Sequence, residues 1–224
     1  MELEAGERNL RGYLKRKSDL VTSLVEGNYI HEVGCGIGTL TRVLSARGKE
    51  VLASDISQEC LNRARERRIR ATFLRLDICQ RSSNLSNAFD CVIMSNVLEH
   101  VAADDQALLN AREMLRKGGV LVLLVPAFKF LFSDFDRRVG HFRRYSPVDV
   151  SAKLKEAGFR LEYIRYWDVV GLIGWLIRCR LMKSVRLGDD LGNPFYDRIY
   201  RLWLGVERLI VFPFGVDIVA KARK

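Results

Sequence analysis

The sequence predicts an α/β fold built on a doubly wound, mostly parallel sheet. Short apolar runs alternate with segments of helical periodicity, and a glycine-rich turn at 34–38 follows the first run. Residues 120–125 are apolar without alternation and end at Pro126, as expected of a central parallel strand that is covered on both faces. Strands that alternate with helices are typical of such a sheet with helices on both faces. The 224 residues are expected to form a single domain, 1–224.

Turn residues and periodicity indicate where each element begins and ends. Gly27 closes a leading helical segment, 1–27, and Gly48 closes the helix after the glycine-rich turn. Ser57 and Ser146 are suited to cap the helices that follow them. The predicted helices cover residues 10–26, about 40–47, 57–68, 104–116 and 146–157. The predicted strands cover residues 29–33, 51–54, 71–76, 89–94, 120–125, 159–166 and 216–222.

The stretch 168–215 between the last two predicted strands is the least regular part of the chain. Residues 171–177 are apolar, and four basic residues follow them: Arg178, Arg180, Lys183 and Arg186. This insertion is interpreted as a lid over a ligand crevice, as an interfacial helix that contacts an anionic membrane surface, or as a dimer interface. The sequence leaves these three interpretations open. No apolar run approaches the roughly 20 residues that are needed to cross a bilayer.

Composition and charge indicate the class of protein but do not identify a binding partner. The chain is 48% hydrophobic and 29% charged, which indicates an ordered globular protein. Its formal net charge of +10 suits a nucleic acid, an anionic membrane surface or a phosphorylated substrate, but solvated helix faces explain it equally well. The five cysteines stand singly and the histidines are not at ligand spacing, so no metal site is predicted. The N-terminus lacks a readable secretory signal, so we expect a cytoplasmic protein, or one peripheral on the inner face of the membrane.

The glycine-rich turn after the first strand predicts a nucleotide-like ligand. Gly34, Gly36 and Gly38 let a ligand lie against the backbone near a helix N-terminus. The third glycine comes one residue too early for the dinucleotide fingerprint, in which Thr39 would be glycine. Glu32 stands just before the turn, where a carboxylate suits an ammonium group better than a pyrophosphate. The pattern therefore favours a ligand that carries a cationic group.

From this turn onward the sequence resembles the class I S-adenosylmethionine-dependent methyltransferases, whose first motif is an acidic residue followed by xGxGxG. The resemblance implies S-adenosylmethionine as cofactor and a seven-stranded Rossmann-like sheet whose last pair is antiparallel. It implies that Asp55 binds the ribose hydroxyls and that Asp77 meets the adenine amino group. The segment 89–100 is similar to the fourth strand and the loop that approaches the methionine part of the cofactor. The predicted cofactor-binding residues are Glu32, Gly34, Cys35, Gly36, Gly38, Asp55, Ile56, Asp77, Ile78 and Asn96.

A second block, 134–147, follows the fifth predicted strand and is dense in functional side chains. Its GHFRRYS segment resembles a subgroup of bacterial and archaeal methyltransferases. A loop after the carboxyl end of a strand faces the ligand crevice in a doubly wound sheet. Arg143, Arg144 and Tyr145 are therefore predicted to bind the acceptor, with the two arginines gripping a phosphate or carboxylate. Alternatively, the arginines pair with Asp134 and Asp136 to brace the loop, and the tyrosine packs beneath it.

Two histidines are the candidate catalytic residues. His141 is the first choice of general base for a hydroxyl acceptor, and His100 is the second. His100 has an alternative interpretation, in which it simply opens the helical region after the fourth strand. An amine or thiol acceptor needs neither residue, since methyl transfer depends mainly on alignment. His31, just before the glycine-rich turn, is expected to be structural.

The sequence therefore predicts a methyltransferase that acts on a small-molecule or lipid-linked, anionic acceptor. The alternatives are a methyltransferase that acts on a protein side chain and a catalytically inactive S-adenosylmethionine-binding regulatory protein. Nucleic acid is disfavoured as a partner, because the chain has no separate RNA-binding module. Residues 95–98 also lack the Asn-Pro-Pro-Tyr-like motif of adenine amino-group methylation.

Overall fold

The computed structural model describes residues 11–176 and 212–224. Part of the predicted leading segment, 1–10, and most of the predicted insertion, 177–211, lie outside the described residues. The four basic residues that suggested a membrane contact lie there as well. The three interpretations of the insertion therefore stay predictions.

Seven strands and seven helices follow one another along the described residues. The strands are β1 Tyr29–Val33, β2 Glu50–Asp55, β3 Thr72–Arg75, β4 Phe89–Ser95, β5 Leu115–Pro126, β6 Arg160–Trp167 and β7 Asp217–Arg223. The helices are α1 Arg11–Leu24, α2 Thr39–Ala46, α3 Gln58–Glu66, α4 Asp104–Met114, α5 Asp134–Arg138, α6 Pro147–Glu156 and α7 Val169–Trp175. Short 3-10 turns cover Ser83–Leu85, Leu98–His100 and Lys129–Leu131.

The strands form one sheet in the order β3-β2-β1-β4-β5-β7-β6. The pairs from β3 to β5 are parallel, whereas β7 runs antiparallel to both β5 and β6. The predicted seven-stranded sheet with an antiparallel last pair is therefore confirmed. Because of this topology, the carboxyl ends of β1 to β5 and the start of β7 meet at one edge of the sheet, which is where parallel sheets bind ligands.

The apolar run in β5 supplies side chains to both faces of the sheet. Leu121, Leu123 and Val125 pack in one buried cluster, and Val120 and Val122 pack in another. Because successive side chains of a strand point to opposite faces, a strand with a core on each side must be apolar at every position. This is why apolar and polar residues do not alternate in residues 120–125, the pattern that predicted a central strand.

The two predicted serine caps are present at the starts of their helices. Ser57 Oγ accepts a hydrogen bond from the Cys60 amide at 3.3 Å. Ser146 and Asp149 form a reciprocal capping box at the start of α6. Helix α4, however, ends at Met114 rather than at the predicted residue 116, because Leu115 already begins β5 and pairs with β4.

Candidate active site

The glycine-rich turn leaves β1 with backbone angles that favour glycine. Gly34 and Gly36 have φ values of 69° and 54°. A Cβ built on Gly34 would come within 2.4 Å of Val97 Cγ2, whereas one built on Gly36 would meet no atom within 4 Å. Gly34 is therefore needed for packing against the segment after β4. Gly36 instead presents bare backbone to open space, as a turn that receives a ligand must.

The two acids at the ends of β2 and β3 are held by their own turns. Asp55 accepts the Gly36 amide with Oδ2 and the Ser57 amide with Oδ1, both at 2.8 Å. Asp77 Oδ1 accepts the Cys79 amide at 2.9 Å. A carboxylate has about four acceptor sites, so each acid retains capacity for ligand hydroxyl or amino groups. These contacts fix the orientation of both carboxylates beside the turn.

The two apolar neighbours of these acids differ in exposure. Ile56 is 63% exposed, although it directly follows β2, and Ile78 is 5% exposed. Cys35, inside the glycine-rich turn, is also buried, and its amide donates to the Ser54 carbonyl at 2.9 Å. Ile56 is thus the accessible apolar side chain of the three. Cofactor contacts of all three residues stay predictions.

Glu32 is buried at the end of β1, beside the turn. Its Oε2 accepts a hydrogen bond from Thr41 Oγ1 at 2.6 Å. Burial raises the pKa of Glu32 to about 7, although the Thr41 bond and the charge of Lys17 oppose the rise. The side chain is therefore poised to gain or lose its proton near neutral pH, depending on whether a cation lies beside it.

Lys17 enters this site from α1 and was not predicted. Its Nζ donates to Asn96 Oδ1 at 2.6 Å, and burial lowers its pKa against the attraction of Asp217, Glu99 and Glu32. Asn96 in turn donates from Nδ2 to Glu99 Oε1 at 3.2 Å. A partly buried ammonium therefore lies among carboxylates of β1, β7 and the segment after β4. The sequence carried only a weak signal for it, a basic residue among many in the leading helix.

The candidate catalytic histidines lie together on the other side of Asn96. The rings of His100 and His141 meet edge to face, with centroids 4.6 Å apart. His141 Nδ1 is 2.9 Å from Asp136 Oδ1. Glu99, His100 and His141 each offer a ligand atom within 4.8 Å of the others, and we call this group the Glu–His cluster. Asp136 was predicted only as an alternative partner of the arginines.

The remaining predicted acceptor residues make internal contacts. Arg144 is buried and donates from Nε to Asp136 Oδ1 at 2.8 Å. Tyr145 is buried too, and its hydroxyl donates to Asp104 Oδ2 at 2.9 Å. Arg143 lies 2.7 Å from Asp104 Oδ1. These contacts match the bracing interpretation for all three residues. Arg144 pairs with the predicted Asp136, but Arg143 pairs with Asp104 and not with Asp134.

His31 lies in the core of the sheet. It is fully buried, and its Nε2 is 2.8 Å from Ser54 Oγ. Burial lowers its pKa to about 4, so the ring is neutral at physiological pH. This placement agrees with the structural role that was expected for it.

Comparisons with known proteins agree with this geometry. A family model described as "Methyltransferase domain" matches residues 31–121, which include the glycine-rich turn, both acids and Asn96. The chain carries a methyltransferase domain over these residues. Within the described residues, no helix of this domain is long and apolar enough to cross a membrane.

The relatives of this methyltransferase domain cover different shares of the chain. A ubiquinone biosynthesis O-methyltransferase of Xanthomonas axonopodis pv. citri is 26% identical over 181 residues, which are 72% of this chain and 73% of the relative. An uncharacterised 37.1 kDa protein in transposon TN4556 of Streptomyces fradiae is 36% identical over 110 residues. That match spans 46% of this chain and only 32% of the relative.

Solved structures share the fold of the methyltransferase domain. One, from Thermotoga maritima, is described as an S-adenosylmethionine-dependent methyltransferase, possible histamine N-methyltransferase. It has a TM-score of 0.70 at 16% identity and covers 100% of this chain and 94% of its own. An S-adenosylmethionine-dependent methyltransferase from Mesorhizobium loti has a TM-score of 0.66 at 16% identity and covers 92% and 96%. The GHFRRYS subgroup stays a prediction.

Proposed function

We propose that the domain transfers the methyl group of S-adenosylmethionine to a hydroxyl oxygen of a small-molecule or lipid-linked acceptor. One observation carries the proposal: Asn96 joins the two halves of the crevice. Its side chain contacts Lys17 on the side of the glycine-rich turn and Glu99 of the Glu–His cluster on the other. We call these halves the cofactor side and the acceptor side. An acceptor at the Glu–His cluster would thus lie next to the methionine part of the cofactor.

The residues of the cofactor side fit the charges of this cofactor. Glu32, at the end of β1, is suited to the ammonium group, and Lys17 of α1, whose Nζ reaches Asn96 after β4, is suited to the carboxylate. The bare backbone at Gly36 admits the nucleoside part, and Asp55 retains acceptor sites for its hydroxyl groups. When bound, S-adenosylmethionine supplies an electrophilic methyl carbon whose bond to sulfur breaks as the bond to the acceptor forms.

The acceptor side is suited to assist the loss of the hydroxyl proton. Burial works against ionisation of Asp136, but the hydrogen bond from His141 and the charge of Arg144 outweigh it and lower the pKa of Asp136. The ionised carboxylate therefore holds the proton of His141 on Nδ1 and leaves the electron pair of Nε2 for the acceptor. The hydroxyl proton leaves towards His141, and the oxygen forms the new bond to carbon. S-adenosylhomocysteine is the second product.

Two observations support an oxygen acceptor with an apolar part. The relatives from Xanthomonas are named as O-methyltransferases of ubiquinone biosynthesis. In this chain, Phe130, Val139 and Phe142 are 71%, 41% and 57% exposed in the segment that follows β5. The anionic character of the acceptor stays a prediction, because Arg143 and Arg144 pair with internal carboxylates.

Labelled methyl transfer tests the proposal directly. The purified chain is incubated with methyl-labelled S-adenosylmethionine and a cell extract, which is then separated into lipid, small-molecule, protein and nucleic-acid fractions. We expect label in the lipid or small-molecule fraction, stable to conditions that cleave esters. Label in protein supports the side-chain alternative, and binding of cofactor without label in any fraction supports the inactive regulatory alternative.

A variant shows whether the Glu–His cluster takes part. His141→Ala should bind S-adenosylhomocysteine with unchanged affinity and lose most of the transfer, by about 10²–10⁴-fold if it assists proton loss. Full transfer by this variant contradicts the assigned role of His141 while leaving the methyltransferase proposal intact.

A further inference from the structure

The Glu–His cluster brings three metal-binding side chains together from two separate segments. Glu99 and His100 belong to the 3-10 turn Leu98–His100, and His141 lies in the segment after α5. Their ligand atoms lie within 4.8 Å of one another, and within residues 11–176 and 212–224 no other group of three such side chains has this proximity. The chain has only three histidines, so two of them converge at this point.

Glu99 supplies a second, independent observation. Its side chain is fully buried, and Oε1 accepts a hydrogen bond from Asn96. Oε2 is also buried but has no hydrogen-bond partner among the described residues. A buried carboxylate oxygen without a donor is costly, and buried charges in proteins are paired or coordinate metals.

The surroundings of His141 match those of a metal-binding histidine. Such histidines almost always direct their second ring nitrogen to a carboxylate or carbonyl, which fixes the ring and leaves the other nitrogen for the metal. Here Asp136 Oδ1 lies 2.9 Å from His141 Nδ1, and Arg144 Nε donates a hydrogen bond to the same oxygen at 2.8 Å. The His141 amide also donates to the Asp136 carbonyl, and the Phe142 amide donates to the Glu99 carbonyl, both at 2.8 Å. The backbone thus ties the two segments of the cluster together.

We propose that Glu99, His100 and His141 bind a divalent transition-metal ion. Two imidazoles with one carboxylate suit Zn²⁺, Mn²⁺ or Fe²⁺, whereas Mg²⁺ and Ca²⁺ prefer sites made of oxygen ligands alone. Three protein ligands leave a coordination position for the acceptor. The sequence predicted no metal site, because the three ligands are brought together by the fold and not by local spacing.

This inference rests on the proposed function and replaces one step of it, the transfer of the hydroxyl proton to His141. With an ion at His141 Nε2, the acceptor hydroxyl binds the ion and is acidified there. Its proton then leaves to solvent water instead of to His141. The oxygen that remains on the ion forms the bond to the methyl carbon, and the electron pair of the broken C–S bond stays on sulfur.

Metal titration of the full chain, free of any histidine tag and stripped with a chelator, tests the site. We expect Zn²⁺ to bind at one equivalent by calorimetry, and Co²⁺ to give the visible absorption of a nitrogen- and oxygen-ligated ion. Glu99→Gln and His141→Ala should each weaken binding by more than the roughly 10–100-fold that loss of an outer-shell partner causes. Because Glu99 is buried, the exposed His100→Ala is the variant least able to disturb folding, and it should weaken binding as well.

The control is Asp134→Asn, which removes an exposed carboxylate from α5 and should keep one equivalent. Absence of stoichiometric binding, or binding that survives His100→Ala and His141→Ala together, overturns the metal proposal. Labelled transfer that persists undiminished in the chelated chain would overturn the step assigned to the ion, while leaving the proposed function standing. One equivalent of bound metal without label in any fraction has the opposite meaning, since the site then stands and the proposed function fails.

Discussion

On the cofactor side of the crevice Asp55 and Asp77 are held by backbone amides, whereas on the acceptor side Asp104 is held by side chains from distant parts of the chain. Asp55 and Asp77 each accept a hydrogen bond from the backbone amide two residues further on. Asp104 instead accepts hydrogen bonds from the side chains of Tyr145, 41 residues away, and Lys153, 49 residues away. Acids that are held by backbone amides retain acceptor sites for a ligand. Charged side chains that pair with one another are instead already engaged in stabilising the fold. Substitutions should therefore mainly affect affinity on the first side and stability on the second.

Asp136→Ala should give the largest effect. Asp136 is fully buried and holds both Arg144 and His141, so its loss leaves a buried guanidinium without its carboxylate. We expect the free energy of unfolding to fall by about 3–5 kcal/mol, measured by urea denaturation. Asp134→Ala is the matched control, since its carboxylate on the same helix is 79% exposed and its pair with Arg137 is worth less than about 1 kcal/mol. Equal losses in the two variants would contradict the role of Asp136 as the buried partner of Arg144 and His141.

Tyr145→Phe should destabilise the protein without weakening cofactor binding. Its hydroxyl donates to the ionised Asp104, and a hydrogen bond to a charged group contributes about 1.5–3 kcal/mol. We expect a loss of that size in urea denaturation and unchanged affinity for S-adenosylhomocysteine in calorimetry. Unchanged stability together with lost methyl transfer would instead support the original prediction that Tyr145 contacts the acceptor.

Lys17→Met should weaken binding of S-adenosylhomocysteine about tenfold, because a charge-assisted hydrogen bond to the ligand carboxylate is lost. Methylthioadenosine lacks the amino-acid part, so its affinity should not change. Lys17→Arg should restore part of the binding, and Lys15→Met, at an exposed position of α1, should have no effect. Equal weakening of both ligands would show that Lys17 acts through the fold and not through the carboxylate.

The pH dependence of cofactor binding should give the smallest effect. Glu32 holds its proton up to a pKa of about 7, so the free protein loses stability through this group as the pH rises from about 4.5 to 7. A ligand ammonium needs the ionised form, and that fraction rises about threefold between pH 6.5 and 7.5. The affinity for S-adenosylhomocysteine, measured by calorimetry, should rise by a similar factor. Glu32→Gln should remove this rise, and a rise that persists would exclude Glu32 as its origin.

The sequence was sufficient for the fold and for the glycine-rich turn because both depend on local patterns, whereas the cofactor contacts stay predictions. The apolar run of β5 has no alternation because its side chains enter two cores, and the glycine turn has its spacing because the backbone needs positive φ there. Lys17 could not be found in this way, since no pattern indicates which side chain of the leading helix reaches the crevice. The partners of His141 and Arg143 were also unpredictable, because the tertiary fold alone brings Asp136 and Asp104 to them.

The long-range contacts of Asp104 have a consequence for the order of folding. Turns closed by amides two residues away lose little chain entropy, whereas a contact between residues 49 positions apart must close a large loop before it gains any energy. Proteins rich in contacts between distant residues fold more slowly, because large loops must close before such contacts contribute energy. The cofactor turns should therefore form early, and the Glu–His cluster should be completed only after α4 and α6 have docked. The contacts that hold Asp104 on the acceptor side thus depend on the docking of α4 against α6, whereas the turns that hold Asp55 and Asp77 do not.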